Sequence, residues 1–240
     1  VPGKVKFCEF NNSKHLKKLV NKKTVAIIIE FVQGDGGINI CTKEFAKTIN
    51  EICKKRKILL IADEIQGGIG RTGKIFAYKH YGVSPDIITS AKGLGSGIPI
   101  GATIVKKEIS QNINIGFHGS TFGGGMLQTR VAYNVFKTIN KTTFLKNVKL
   151  KGILLEQLLN NLQSKQDLIK EVRIKGLMAG IEFKNSELAL KIYKETSDHG
   201  LVTTLVKGKT IRITPPLIIK SEEIKRGIKI ISDCLDKIKN

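Results

Sequence analysis

Long apolar runs, arginines, acidic residues and clustered metal-ligand types are scarce in this sequence, and each shortage argues against a class of function. No apolar stretch is long enough to cross a bilayer, which argues against an integral membrane protein. The first residues, VPGKVKF, carry no apolar signal-peptide segment. Arg56, Arg71, Arg130, Arg173, Arg212 and Arg226 are the only arginines, a poor supply for forked recognition of phosphate, and no nucleic-acid motif with interleaved aromatics is present. Cys8, Cys41, Cys53 and Cys234 lie far apart with no C-x-x-C pair, so they read as reduced, mostly buried thiols. His15, His80, His118 and His199 lack ligand spacing, and no metal is assigned. Internal repeats, low-complexity segments and long linkers are also missing.

What is abundant is lysine. With 41 basic and 20 acidic residues the formal charge is +21. That charge fits binding to nucleic acid or an anionic surface, or a compositional drift toward Lys, Ile and Asn. The lysines are scattered along the chain, which favours drift. The 240 residues, 41% hydrophobic and 25% charged, are enough for one large domain or two small ones.

The pattern alternates short apolar runs with helical periodicity. Residues 1–23 read as a lysine-rich lead-in with a short helix at 13–20. TVAIIIE (24–30) reads as a buried strand followed by a glycine-broken loop, FVQGDGGIN. Thr42 is placed to cap a helix over 43–55, with Phe45, Ile49 and Ile52 on one face. KILLIAD, Asp86–Ser90 and Ile100–Val105 read as further strands, with a short helix near Phe76–His80. This is the rhythm of a parallel α/β sheet, in which ligands bind beyond the strands' C-terminal ends. Glu30, Asp63 and Lys92 all fall at or just past such ends. Helices are expected after 123, over 143–163, over 186–199 and from a Ser221 cap to about 238. Strand character is expected over 173–183 with a break at Gly176, in LVTTLV and in TIRIT.

Two pieces of the stretch from Leu59 to Gly101 carry chemistry. ADEIQ places a carboxylate, Asp63, at a strand end, and TSAKGLGSG places Lys92 in a loop of small residues. A lysine amine for a Schiff base and a carboxylate to keep a ring nitrogen protonated are what pyridoxal 5'-phosphate requires. A lysine serves as nucleophile only if partly deprotonated, which burial and neighbouring positive charge promote. Ala91, Gly93, Gly95 and Gly97 are expected to let its loop approach the cofactor. GIGRTG (68–73) also satisfies G-x-G-x-x-G, but ADEIQ intervenes after the strand and the following helix is short, so a dinucleotide fold is disfavoured.

The ordered run Asp63-Glu64, Gly68 to Gly73, Asp86-Ile87-Ile88 and Ala91-Lys92 before Ser96-Gly97 resembles the signature of the class III aminotransferases. Within that class, PDIITSAKGLGSGIPIGA and HGSTFGGG are most similar to the enzymes acting on acetylornithine, then ornithine, with those acting on succinylornithine or 4-aminobutyrate as the further alternatives. The resemblance implies an α/β, fold type I pyridoxal-phosphate transferase. Its sheet would be mainly parallel with helices on both faces, followed by a small C-terminal α+β domain. Residues 1–142 would belong to the large cofactor domain, and 143–240 to a connector helix and the small domain. It also implies a cytoplasmic homodimer with sites shared across the interface, and an amino donor and 2-oxoglutarate as substrates. The chain would be the C-terminal part of the usual enzyme; a glycine-rich phosphate loop, a ring-stacking aromatic and a second substrate arginine would precede it, and an organellar targeting segment could.

By the same resemblance, Lys92 bears the cofactor, Asp63 pairs with the pyridine nitrogen, Ile65 packs on the ring, and Gln66 hydrogen-bonds near the ring hydroxyl or merely braces a turn. Ser120 and Thr121 bind phosphate across the dimer, although Gly125 stands where the family usually has Asn; turn chemistry alone is the alternative. Arg212 grips a substrate carboxylate. Glu30 and Asp35 match two acidic positions near the substrate, the second usually Glu, or are surface loop acids. Catalysis competes with one other class of reading, a non-catalytic remnant with a basic binding surface.

Overall fold

A computed structural model describes residues 4–239, so the first residues of the expected lead-in lie outside it. In chain order the elements begin with α1 (Ser13–Leu19), β1 (Ala26–Ile29), β2 (Val32–Gln33), β3 (Asn39–Ile40), α2 (Lys43–Arg56) and β4 (Leu59–Asp63). Next come β5 (Ile87–Ser90), β6 (Ala102–Val105), α3 (Lys107–Ser110), α4 (Met126–Ile139) and α5 (Thr142–Lys165). The last are β7 (Ile169–Ile174), β8 (Ala179–Phe183), α6 (Ser186–Asp198), β9 (Thr204–Val206), β10 (Thr210–Ile213) and α7 (Ser221–Lys239). Single 3-10 turns occupy Ala77–His80 and Lys92–Leu94. Two compact units result. Unit one takes the described residues up to Phe31, Cys41–Ile65 and Tyr78–Val135; unit two takes Val32–Ile40, Gln66–Ala77 and the chain from Phe136 onward.

Unit one is a four-stranded sheet in the order β1-β4-β5-β6. The first three strands are parallel, with Ile28 beside Ile61 and Ile61 beside Ile87. The fourth runs antiparallel to β5, since the connection after Lys92 simply turns back and needs no crossover helix. Helix α2 packs on β1 and β4. It starts where Thr42 Oγ1 accepts from Phe45 N–H at 3.1 Å, and it ends at Lys57 in the left-handed region (φ 53°). Phe45, Ile49 and Cys53, spaced by four, form its buried face, whereas Ile52 is only partly covered. Burial pushes the Cys41 thiol up to about 12 and the Cys53 thiol to about 11. All four cysteines are free thiols. The expected buried strand at 24–30 is covered on one face only. Ile29 is buried, but Ile28 is 63% exposed, because β1 is an outer strand and α2 covers the opposite face.

Unit two is an antiparallel sheet in the order β7-β8-β10-β9, with α5, α6 and α7 packed together against it. Leu155, Leu159, Ile181, Phe183, Ile192, Ile211 and Leu235 are among its fully buried core. The strand character expected over 173–183 resolves into two strands that turn at Gly176 (φ +62°). Ser221 is the first residue of α7 and not its cap; Glu223 instead reaches back to the Lys220 N–H at 2.7 Å. The glycine-broken segment after β1, expected as loop, is a β2–β3 hairpin with Val32 opposite Ile40. Its apolar side, Val32 and Ile38, packs with Met178.

Candidate active site

Unit one carries the acid and the lysine. Asp63 is the last residue of β4 and lies beside Thr89 of β5. Its Oδ1 accepts from the Ile65 N–H at 3.0 Å and from Thr89 Oγ1 at 3.3 Å, which holds the carboxylate at the strand end. Oδ2 has no hydrogen-bond partner among the described residues. Lys92 follows β5 by two residues and opens the 3-10 turn Lys92–Leu94 with φ +46°, a strained conformation for a residue with a side chain. Gly95 makes that turn possible: a Cβ there would fall 1.9 Å from the Ile98 carbonyl oxygen. Lys92 is exposed, because the turn carries it past the sheet. Two positions earlier, Ser90 Oγ is buried with no partner among the described residues.

The arginine is in unit two. Arg212 on β10 lies beside Gly180 on β8, which lies beside Arg173 on β7. Three side-by-side positions across three strands thus read Arg, Gly, Arg. The glycine leaves room for the β2–β3 hairpin: a Cβ at 180 would meet Ile38 Cγ1 at 3.0 Å and the Gly37 carbonyl at 3.1 Å. Arg173 Nε donates to the Gly37 carbonyl at 2.9 Å, fixing one side of the hairpin. On the other side Arg212 Nη1 pairs with Asp35 Oδ1 at 2.6 Å. Gln66 closes the triangle, donating to Asp35 Oδ2 at 2.9 Å and accepting from Arg212 Nη1 at 3.1 Å. Gly34 accommodates that amide, since a Cβ there would sit 2.1 Å from Gln66 Oε1. Both contacts fall on Nη1, and Arg212 Nε is buried without a partner among the described residues. Nη1 is thus the nitrogen through which the Arg212 fork is held in place. Behind Arg173, Glu182 accepts from Lys170 at 2.8 Å and from Arg173 at 2.7 Å. The Lys170 hydrogen bond, then Arg173, holds its carboxyl below the usual range.

The other sequence candidates are more dispersed. Ile65 follows Asp63 in unit one and is half-buried; Glu30 is half-buried just past β1. Ser120 and Thr121 lie in a fully exposed segment, 111–124, and the Ser120 carbonyl accepts from Gly123 N–H at 3.1 Å. Sequence reasoning missed three contributors. Thr89 braces Asp63, a role its register on DIITS could have suggested. Glu64 is fully buried and accepts from the Tyr78 N–H at 2.8 Å, so it is a structural acid. Arg71 donates to the carbonyls of Pro215 and Leu177, tying GIGRTG to the segment after Arg212. That segment is a series of turns and does not open into a long helix, unlike a dinucleotide loop.

The family model for class III aminotransferases matches residues 4–235. The chain belongs to that family. It is 42% identical to the acetylornithine aminotransferase of Caldanaerobacter subterraneus subsp. tengcongensis, over 98% of this chain and 59% of that one. Its fold is that of the solved acetylornithine aminotransferase from Elizabethkingia anophelis, with TM-score 0.89 and 33% identity over 95% of this chain and 59% of that one. The ornithine delta-aminotransferase of Plasmodium falciparum superimposes equally well: TM-score 0.89, 33% identity, 95% of this chain and 61% of that one. The chain therefore spans about three-fifths of the length of these class III relatives. The α/β organisation with a mainly parallel sheet is the fold type I arrangement of the family. No helix among the described residues is long and apolar enough to cross a membrane.

Proposed function

We propose that this chain supplies the lysine-bearing part of a pyridoxal-phosphate aminotransferase that moves the terminal amino group of N2-acetylornithine to 2-oxoglutarate, a step of arginine biosynthesis. The observation that carries the proposal is in unit one. Two adjacent parallel strands present Asp63 at the end of one and Lys92 just beyond the end of the other. The donor set fits the cofactor: a strand-end carboxylate with Oδ2 open, and an exposed amine on a turn of small residues. When bound, the cofactor supplies an electron sink for the charge left as the substrate carbon gives up its proton. Asp63 holds a proton on the ring nitrogen. Lys92 would hold the cofactor and would carry the proton to and from the substrate carbon. Ile65 would pack against the ring, and Gln66 would hydrogen-bond near its hydroxyl. In unit two, Arg212 binds a substrate carboxylate, with Asp35 and Gln66 fixing Nη1. In unit one, Glu30 is the further acid assigned to the substrate. Ser120 and Thr121, on their exposed segment, bind phosphate of the neighbouring subunit in a cytoplasmic homodimer.

We propose residues 1–142 as the cofactor domain and 143–240 as connector and small domain. The packing units cut the chain differently because 32–40 and 66–77 pack with later residues. Ornithine as amino donor is the second reading, favoured by the equal superposition on the Plasmodium falciparum enzyme. The test uses the whole protein. A visible absorption band should disappear on borohydride treatment, with the label recovered on Lys92. Lys92→Ala should lack both band and turnover. Wild-type-like turnover in Lys92→Ala refutes the assignment, and a non-catalytic basic remnant shows no band at all. Relative kcat/KM for acetylornithine and ornithine decides the donor.

A further inference from the structure

Helices α6 and α7 bring together three side chains that the sequence keeps apart. Glu195 and His199 are one turn apart at the C-terminal end of α6, and Cys234 faces them from α7. A carboxylate oxygen, an imidazole nitrogen and the thiol sulfur all lie within 4.8 Å of one another. Cys234 is 2% exposed, His199 is exposed and Glu195 is intermediate, so the cluster has a closed sulfur end and an open solvent side. His199 Nδ1 lies 3.9 Å from Cys234 Sγ and 2.7 Å from the Glu195 carbonyl oxygen. None of these residues belongs to the acid–lysine pair or to the arginine triangle.

From this geometry we propose that Glu195, His199 and Cys234 form a zinc site, with water completing the tetrahedron on the solvent side. The donor chemistry selects the metal. Thiolate, imidazole and carboxylate together suit zinc, whereas calcium and magnesium take oxygen ligands. The dimensions agree: Zn–S of about 2.3 Å and Zn–N of about 2.1 Å at a tetrahedral angle put N and S about 3.6 Å apart. The 3.9 Å seen between Nδ1 and Sγ needs to contract by only a few tenths of an ångström. The site also sits at the negative end of α6, whose last carbonyls favour a cation.

Binding is balanced as follows. The Cys234 thiol loses its proton to solvent as the Zn–S bond forms. Nδ1 exchanges the Glu195 carbonyl for the metal, and the ring proton moves to Nε2 on the solvent side. Glu195 leaves its ion pair with Lys237, at 3.0 Å, whose lysine side chain is 64% exposed. Asp233, Lys191 and Asp198 are further charges close to the cluster. The bound metal would clamp the last helix to α6.

The test is titration of the metal-free whole protein with Co2+ as the spectroscopic probe and Zn2+ as competitor. One equivalent of Co2+ should give a thiolate charge-transfer band, and Zn2+ should displace it. Cys234→Ser should abolish the band. Because Cys234 is in the core, His199→Gln, on the surface, provides a second reading: metal affinity should fall at least about tenfold with the fold unchanged. Absence of the band in the wild-type protein, its persistence in Cys234→Ser, or unchanged affinity in His199→Gln each overturns the proposal.

Discussion

Two glycines in two helices of unit two should respond to the same substitution with opposite sign. Gly152 is buried in α5, and a Cβ there would lie 2.7 Å from Gly176 Cα and 2.9 Å from its carbonyl carbon and oxygen. Carbon atoms rest at about 3.5–4.0 Å, so α5 and the Gly176 turn would have to part by about 1 Å. Gly176 cannot simply retreat, because it is itself pressed against the Thr72 backbone, where its own Cβ would fall 2.6 Å from the carbonyl carbon. Overpacking costs about 1–3 kcal/mol, and backbone on both sides puts this case near 3. Replacing glycine by alanine in a helix returns about 1 kcal/mol. Gly152→Ala should therefore destabilise by about 2 kcal/mol, roughly a thirtyfold loss in the folded-to-unfolded ratio. Gly227 in α7 meets only Leu201 Cδ1, at 3.4 Å, the end of a flexible side chain. Gly227→Ala should stabilise by about 0.5–1 kcal/mol. Urea unfolding midpoints of the two variants and the wild type make the comparison. A Gly152→Ala midpoint at or above wild type, or two shifts of the same sign, refutes the reasoning.

Asp63→Asn should retain the cofactor but lower turnover by roughly 10²–10³-fold or more, since one preorganised charge at the reacting ring is lost; equal rates in single-turnover assays would remove Asp63 from the chemistry. Gly34→Ala should push Gln66 off Asp35 and Arg212 with little effect on the urea midpoint. It should raise KM for a carboxylate substrate a few-fold, on the order of 1 kcal/mol, and unchanged KM for both substrates would contradict the triangle's role. Glu182 has its folded-state pKa lowered, first by Lys170. Its contribution is present above the ordinary carboxylate pKa and disappears as pH falls through the folded value. Glu182→Gln should accordingly flatten the acid limb of the stability profile below about pH 4.5; parallel limbs for variant and wild type would count against it.

Much of unit one was legible because each apolar run stops at a residue with chemistry. β4 ends on Asp63, β5 is followed by Lys92, and Thr42 caps α2 as its position suggests. The direction of β6 was not legible, since an apolar run carries no sign. Nor was the exposure of Ile28, which depends on α2 covering a single face. The hairpin at 32–40 read as loop because its strands are two residues each and it is held by Arg173 and Arg212, whose partners no local pattern announces. The same applies to His199 and Cys234: spacing along the chain keeps them apart, and only the packing of α6 on α7 brings their side chains together. The roles given to Ser120, Thr121 and Glu30 rest on resemblance, and the geometry adds only their exposure and positions.

The hairpin that carries Asp35 has a consequence for how the protein is made. Gly37 is held by Arg173, 136 positions later, and Asp35 by Arg212, 177 positions later. At synthesis rates of about 5–20 residues per second, roughly 7–27 s pass between the appearance of Gly37 and that of Arg173. Through that interval Val32 and Ile38, 1% and 0% exposed in the folded chain, have no sheet to rest on. The nascent chain can pair β1 with β4 early, whereas the hairpin that carries Asp35 gains its partners only once Arg173 and Arg212 have emerged.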